Sequence, residues 1–378
     1  MKTRLILPLL LLFLAIASCG GNDPIMPPTP PAPTPGDSTL VPDTTGKDTL
    51  PEVKPEDFAR GADISWYSQI EDEGKKFYSW NHREPMDCPA VMQDMGLNAI
   101  ALRVLVNPHD GYCAMDDVLR KARRVHQLGL DLLVSLHFSD TIASSNLQRT
   151  PQEWQDHSME MLAEDVRSHT ASVLQALTEE GINPRWIQIG NQLDNGLLWP
   201  AGYLTRYPTQ YATLVSSACR SARTICPKAQ IIVAAGNPLH QPSLCAALDG
   251  LRTTDYDQIG LVLYPTQSVG SSFQLLNTAI SYGIENENDA IAYTMQTIDM
   301  LFNKYKKHCM IVECGVPVSQ ETAGSMHMRQ LVKEARANTT CRGVIYHEPE
   351  AYEGWRGYTQ GAFLSNGRPT QIIDALTE

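Results

Sequence analysis

Eight short, almost continuously apolar runs mark this chain from residue 58 onward: Gly61–Ser65, Ala99–Val104, Asp131–Phe138, Trp186–Asn191, Gln230–Gly236, Gln258–Tyr264, His308–Cys314 and Gly343–Pro349. Their length and lack of a polar face predict parallel strands covered on both sides. Between them, apolar positions recur at helical spacing. Asp116–Leu128 puts Val118, Leu119, Ala122, Val125 and Leu128 on one face, and Gln155–Leu177, Tyr207–Cys226 and Ala290–Tyr305 follow the same rule. Gly96 and Gly129 stop helices just ahead of strands. Strands alternating with helices in this number predict an α/β fold, a closed (β/α)8 TIM barrel forming a single domain over residues 58–378. An open doubly wound sheet is the alternative, but no Gly-x-Gly-x-x-Gly turn follows an early strand.

A barrel of this kind carries its chemistry at the C-terminal ends of its strands. Those ends read, in order, Asp63, Arg103, His137 with Asp140, Asn191 with Gln192, Gly236 with Asn237, Tyr264, Glu313, and His347 with Glu348. Nearly every strand ends in a polar or aromatic residue, which predicts a polar, ring-lined cleft of carbohydrate size. Asp63 reads equally as a strand-end cap. Trp199 and Trp355 read equally as sugar platforms or packed rings, and His240 is a further cleft candidate. Arg103 inside a barrel needs a carboxylate partner, and Glu313 is the one this pattern offers.

The first 57 residues belong to a different class. Lys2 and Arg4 precede the apolar run Leu5–Ile16, and Ala17-Ser18-Cys19-Gly20 follows. This predicts a lipoprotein signal over residues 1–18, with Cys19 the lipidated first residue of the mature protein. Residues 19–57, rich in Pro and Thr, predict a disordered spacer that cannot bury a core. The expected location is the periplasm or the outer-membrane surface of a bacterium, held to the membrane by the lipid. The formal net charge is −12 with no basic stripe, which argues against nucleic acid and suits a neutral polysaccharide partner. Eight cysteines remain beyond Cys19, with no Cys-x-x-Cys. Disulfides are permitted in that compartment, but buried free thiols are the expected state. No metal-ligand spacing is present, no dense Asp/Asn loop supports calcium, and no cofactor is expected.

Retaining glycosidases use two carboxyl groups about 5–5.5 Å apart, one to attack the anomeric carbon and one to protonate the leaving oxygen. Strand seven ends Ile-Val-Glu-Cys-Gly and makes Glu313 a nucleophile candidate, whereas strand four ends Ile-Gly-Asn-Gln, an amide where an acid belongs. The domain resembles the endo-β-1,4-galactanases of glycoside hydrolase family 53, which act on the galactan of pectic arabinogalactan. GADIS at 61–65, LRVLVNP at 102–108, LHFSDT at 136–141, GINPRWIQIGNQLDNGLLWPAG at 181–202, IVECGVP at 311–317 and GVIYHEP at 343–349 carry the resemblance. It implies Glu313 as nucleophile and Gln192 at the acid/base position. It also implies Arg103 as the group that orients and charge-pairs the nucleophile, and His137, Asn191 and Tyr264 in the cleaving subsite.

The chain departs from that pattern inside the cleft. Gln192 stands where the family usually has Glu, Asp194 where it has an uncharged residue, Ile142 and Ser144 after the SDT where it has Trp and Asp, and His347 where it has Trp. A galactanase-like scaffold that binds β-1,4-galactan, with hydrolysis weakened or lost through Gln192, is the expectation. One alternative is an active hydrolase or transglycosylase using a replacement donor: Asp194, or His347 and Glu348 at the rim. The other is a non-catalytic interaction lipoprotein. Asp63, Arg103, His137, Asp140, Asn191, Asp194, Trp199, Tyr264 and His347 are the candidate substrate contacts.

Overall fold

The computed structural model describes residues 58–268 and 284–377. The proposed signal, Cys19 and the linker therefore lie outside the described residues. Eight parallel strands close on themselves: β1 (Ala59–Asp63), β2 (Ala99–Val104), β3 (Asp131–Leu136), β4 (Trp186–Ile189), β5 (Gln230–Gly236), β6 (Gln258–Leu263), β7 (His308–Cys314) and β8 (Cys341–His347). The first strand pairs with both the second and the last. The (β/α)8 barrel expected from the apolar runs is the architecture found.

Five strands stop short of the apolar runs, three of them for a shared reason. Phe138, Gly190, Gln192 and Glu348 all take positive φ, between 50° and 67°. A left-handed residue just past the strand turns the chain off the sheet edge, so β3, β4 and β8 end at Leu136, Ile189 and His347. Each of these turns delivers its next side chains to the rim. The helices Met115–Gln127, Met159–Glu179, Pro208–Ile225 and Glu287–Tyr305 lie within a few residues of the periodic segments. Gln241–Asp249 and Glu321–Ala337 are helices that the pattern did not single out. The second buries Gly324 and Ser325 beside Met328, Leu331, Val332 and Ala335, so its inner face shows little apolar contrast.

Two separate apolar clusters account for the packing. A large one lies between sheet and helices. The smaller takes one or two residues from every strand, Ala59, Ala101, Leu133, Trp186, Ile232, Val262, Val312 and Ile345 among them, and fills the barrel. Small residues at β1 and β2 balance Trp186 and Ile345 across it. Gly61 is required at one such contact, since a Cβ there would stand 2.5 Å from Ile345 Cδ1.

One irregularity aims the site. Cys309 and Ile311 of β7 pack outward, while Met310 and Val312 pack inward. Simple alternation would turn residue 313 outward. Instead β6 pairs Leu261 with Ile311 and then Val262 with Glu313, and β8 pairs Val344 with Ile311 and then Tyr346 with Cys314. Both neighbours record one extra residue in β7. This bulge puts Glu313 on the interior side with Val262.

All eight cysteines of the described residues are free, and seven are buried. The melting temperature followed by circular dichroism is therefore expected to be the same with and without a mild reductant. A fall of several degrees would show that a cystine supports the fold.

Candidate active site

Glu313 projects from the end of β7 and is 8% exposed. Asn191 Nδ2 donates to its Oε2 at 3.1 Å, and the Tyr264 hydroxyl donates to its Oε1 at 2.7 Å. Burial, then the charge on Glu313, pushes the Tyr264 phenol well above its ordinary value, so it stays a donor. Asn191 is itself fixed, donating also to Ala143 O at 3.1 Å. Gln148, buried behind it, donates to Asn191 O at 2.7 Å and to Gln192 O at 3.2 Å, which holds the turn after β4 in place.

Gln192 occupies that turn in a left-handed conformation, φ 51°, ψ 61°. Its amide works in both directions. Nε2 donates to Glu313 Oε1 at 3.5 Å, and Oε1 accepts from the backbone and hydroxyl of Ser145 at 3.2 and 3.1 Å. Asp194 lies one short 3-10 turn further on, buried, with Oδ1 accepting from the same Ser145 hydroxyl at 2.7 Å. Ser145 is thus shared by the amide and by the new carboxylate, and the spacing of the sequence carried no sign of it.

Arg103 does not pair with Glu313, and that expectation is corrected here. Its Nη2 lies 2.6 Å from Glu348 Oε1, its Nη1 lies 3.9 Å from Asp63 Oδ2, and Arg103 and Glu348 are 1% and 0% exposed. The left-handed turn at Glu348 folds that carboxylate back over the strand ends, nearer to β2 than Glu313 comes. Burial alone would lower the Arg103 pKa, but Glu348, Cys113 and Asp63 together outweigh it and keep the guanidinium charged. Burial works against ionisation of Glu348 too, but Arg103, joined by Glu350, His347 and the Trp66 N–H, lowers its pKa overall. Glu350, also wholly buried, is pushed well above the ordinary carboxyl value by burial and by Glu348, to which it donates its proton. The Trp66 backbone N–H joins them, at 3.0 Å from Glu348 Oε2 and 3.1 Å from Glu350 Oε1.

Asp63 belongs to this cluster as the strand-end cap. It accepts from the Ser65 backbone at 3.0 Å and from the Ser65 hydroxyl, and burial with Glu348 raises its pKa. Asp63, His347 and Glu348 each bring a ligand atom within 4.8 Å of the others. The Arg103 guanidinium already sits on Glu348 and takes the place of a cation there.

His347 stands in an aromatic setting, its ring edge-on to Trp66, Tyr358 and Tyr264 at centroid distances of 6.0, 5.9 and 6.5 Å. The Tyr358 hydroxyl donates to His347 O at 2.9 Å, so at 2.9 Å from Nδ1 it accepts, which assigns the proton to Nδ1. His137 has the opposite tautomer: its Nδ1 accepts from Ala143 N at 3.1 Å. Burial, then Arg103 and His347, lower its pKa well below the ordinary value, so it is neutral.

Two candidates make no contact with Glu313 or Gln192, Asp140 in the wall of the cavity that Trp355 also lines and Trp199 in a recess of its own. Asp140 spends both oxygens on loop backbone, accepting from Asn107 N at 3.0 Å and Gln152 N at 2.8 Å. Trp199 donates its indole N–H to Asn195 O at 3.0 Å and lines a separate recess of about 390 Å³. Trp355 instead joins Trp66, Tyr358, Arg103 and Tyr112 around a cavity of about 800 Å³ on the β1–β3 flank. That cavity reaches His347 through the Trp66 and Tyr358 rings they share. Ser145, Gln148, Glu350, Trp66 and Tyr358 are the site residues that sequence reasoning missed. Glu350 had one readable signal, its place two residues after Glu348 across a proline.

A family model described as glycosyl hydrolase family 53 matches residues 59–367. A probable arabinogalactan endo-β-1,4-galactanase A of Aspergillus terreus is 30% identical over 270 residues, covering 69% of this chain and 71% of that protein. The arabinogalactan endo-β-1,4-galactanase A of Aspergillus niger is 29% identical over 267 residues, with 69% and 71% covered. Among solved structures, a fungal β-1,4-galactanase superposes with a TM-score of 0.72 at 21% identity, covering 84% of this chain and 98% of its own. The family 53 catalytic domain of Ignisphaera aggregans gives 0.73 at 22%, with 85% and 96% covered. At those identities the structural likeness speaks for the fold.

The Arg103–Glu348 pair makes a stability prediction. Arg103→Met strands a buried carboxylate and is expected to cost about 3–5 kcal/mol in urea denaturation. Glu313→Gln, which touches neither partner, should cost far less. Equal losses would return Arg103 to Glu313.

Proposed function

This chain belongs to glycosyl hydrolase family 53, and from that membership we propose that it binds a β-1,4-galactan-type polysaccharide and cleaves it by the retaining route at a rate lowered by Gln192. The arabinogalactan galactanases among its relatives support the substrate class. The observation that carries the reading is the pair at the centre. Glu313 is a carboxylate fed by Asn191 and Tyr264, and the Gln192 amide reaches it at 3.5 Å, from where a proton-donating carboxyl would act.

Glu313 is the proposed nucleophile. Three uncharged donors orient it without pairing it to a cation, which leaves its lone pairs available to an anomeric carbon. Gln192 can hydrogen-bond a glycosidic oxygen but cannot yield a proton to it. General acid catalysis is worth about 10²–10⁴-fold, and a sugar leaving group needs most of that. Binding then persists while turnover falls. The cavity walled by Trp66, Trp355 and Tyr358 gives rings for sugar faces beside polar groups for their hydroxyls.

Reducing-end release from β-1,4-galactan tests this. Gln192→Glu is expected to raise the rate by about 10²-fold, and Glu313→Ala to abolish it in either background. If Gln192→Glu binds galactan and leaves the rate unchanged, the amide is not at the acid position.

We propose also that the domain is held to a membrane through Cys19, on the strength of Ile-Ala-Ser-Cys after an apolar run. Among the described residues no helix is long and apolar enough to cross a membrane. Cys19→Ala should move the protein from the membrane fraction to the soluble one. Unchanged sedimentation with membranes would remove the anchor.

A further inference from the structure

The loop after β3 brings a hydroxyl to the one place where a proton is missing. Ser145 is partly exposed, and its carbonyl is pinned by Asn195 Nδ2 at 2.9 Å. Its backbone N–H and its hydroxyl both face Gln192 Oε1, at 3.2 and 3.1 Å, while the hydroxyl lies closer to Asp194 Oδ1, at 2.7 Å. A hydroxyl has one proton. The amide oxygen is already served by the Ser145 backbone, and with Asp194 in its acid form the 2.7 Å contact runs from the carboxyl to Ser145 Oγ, which releases the hydroxyl proton.

Asp194 is placed to replace it. Its carboxyl group packs against the bare backbone of Gly236, where an added Cβ would stand 3.0 Å from Asp194 Cγ. The short turn carrying Asp194 packs against β5 and against the helix Gln241–Asp249. Strand β5 presents no titratable side chain, and the helix, with His240 ahead of it, carries Cys245 and Asp249. From the helix Pro208–Ile225 the neutral phenol of Tyr211 faces Asp194. None of these is a cation bound to Asp194, and Glu313 faces it only across Gln192. Burial without a cation raises the Asp194 pKa to about 6.

We propose that Ser145 and Asp194 form a two-step proton relay that supplies the leaving sugar oxygen with the proton Gln192 cannot give. The relay rests on the reading of Glu313 as nucleophile. As a Glu313 oxygen bonds to the anomeric carbon, the glycosidic C–O bond breaks with its electron pair on the departing oxygen. That oxygen takes the Ser145 hydroxyl proton, and Ser145 takes the proton of the Asp194 acid. In the second half a water oxygen attacks the same carbon and the bond to Glu313 breaks, restoring the carboxylate. The water's proton passes to Ser145, and the Ser145 proton returns to Asp194. One glycosidic bond and one water are consumed, and the protein ends as it began. Ser145 is the donor in contact with substrate; Asp194 is its proton source.

The test uses the full chain with two substrates, β-1,4-galactan and a dinitrophenyl β-galactoside whose leaving group needs no proton. Asp194→Asn and Ser145→Ala are each expected to lower galactan cleavage by about 10²-fold and to lower aryl galactoside cleavage far less. The natural protein's galactan rate should fall as pH rises through about 6, because the acid form is lost, and Asp194→Asn should lack that limb. Galactan cleavage at the natural rate and with the natural pH profile in both variants overturns the relay. So does a natural protein that releases nothing where Gln192→Glu cuts, an outcome that leaves the galactan cleft standing. If neither cuts and neither binds galactan, the substrate reading falls and the relay with it. Should Asp194→Asn fail to fold, Ser145→Ala, which keeps the backbone contact to Gln192, carries the same test.

Discussion

A guanidinium at 1% exposure cannot stand alone, and much of this barrel is arranged around that fact. Arg103 rises from β2 and meets Glu348 just past β8, with Asp63 of β1 on its other side. β8 lies beside β1 only because the sheet closes, with β2 on the other side of β1. The ion pair therefore spans the end of β1, from β2 on one side to β8 across the closing seam on the other. It is also expensive, since two desolvated charges repay their transfer only with good geometry and further hydrogen bonds. The Trp66 N–H, the shared proton of Glu350 and the Ser65 contacts to Asp63 supply those bonds. Lys121, equally buried, pairs with Asp117 at 2.6 Å and donates to the Ser65 carbonyl.

The site is divided as a result. On the β1, β2 and β8 side, charge is dense and committed. On the β4 to β7 side, Glu313 is surrounded by an amide, a phenol and a second amide, none of them charged. His137 between the halves is kept neutral partly by Arg103. The guanidinium thus acts on the nucleophile's surroundings without neutralising the nucleophile itself.

How much of this was legible depends on what kind of information each feature needs. The barrel was legible because eight buried strands must be continuously apolar, and the positions of Glu313, Asn191 and Tyr264 followed from their places at strand ends. That Glu313 faces inward was not, because it depends on one extra residue in β7 that only pairing with both neighbours reveals. The partner of Arg103 was misread for a related reason. Glu348 and Glu313 are both carboxylates at strand ends, and the choice between them is made by a left-handed turn at Glu348 and by closure of the barrel. Asp140 lines the cavity shared by Trp66, Trp355 and Tyr358, and its oxygens also accept from two loop amides, a tie that its place after β3 did not reveal. Ser145 had no sequence signal, since a serine in a polar loop is ordinary until Gln192 and Asp194 are seen to share it.

The replacement of a carboxyl by an amide at residue 192 has consequences that run both ways. Two carboxyl groups this close repel, and one must hold a proton for both to stay. An amide beside a carboxylate instead donates a hydrogen bond to it, here from Gln192 Nε2 to Glu313 Oε1 at 3.5 Å. What is lost is the proton, and the surroundings restrict where another can come from. Glu348 pairs with Arg103, and Glu350 holds a proton but at 0% exposure, with the Trp66 backbone N–H on its Oε1. Asp63 is tied to Ser65 within the same cluster. Among the described residues at the strand ends, Asp194 is the carboxyl that meets no cation, has its proton affinity raised by burial, and connects to the cleft through a single hydroxyl. The same burial that makes Asp194 costly to ionise makes it useful, because a carboxylic acid that gave up its proton at low pH would have none to lend near neutrality.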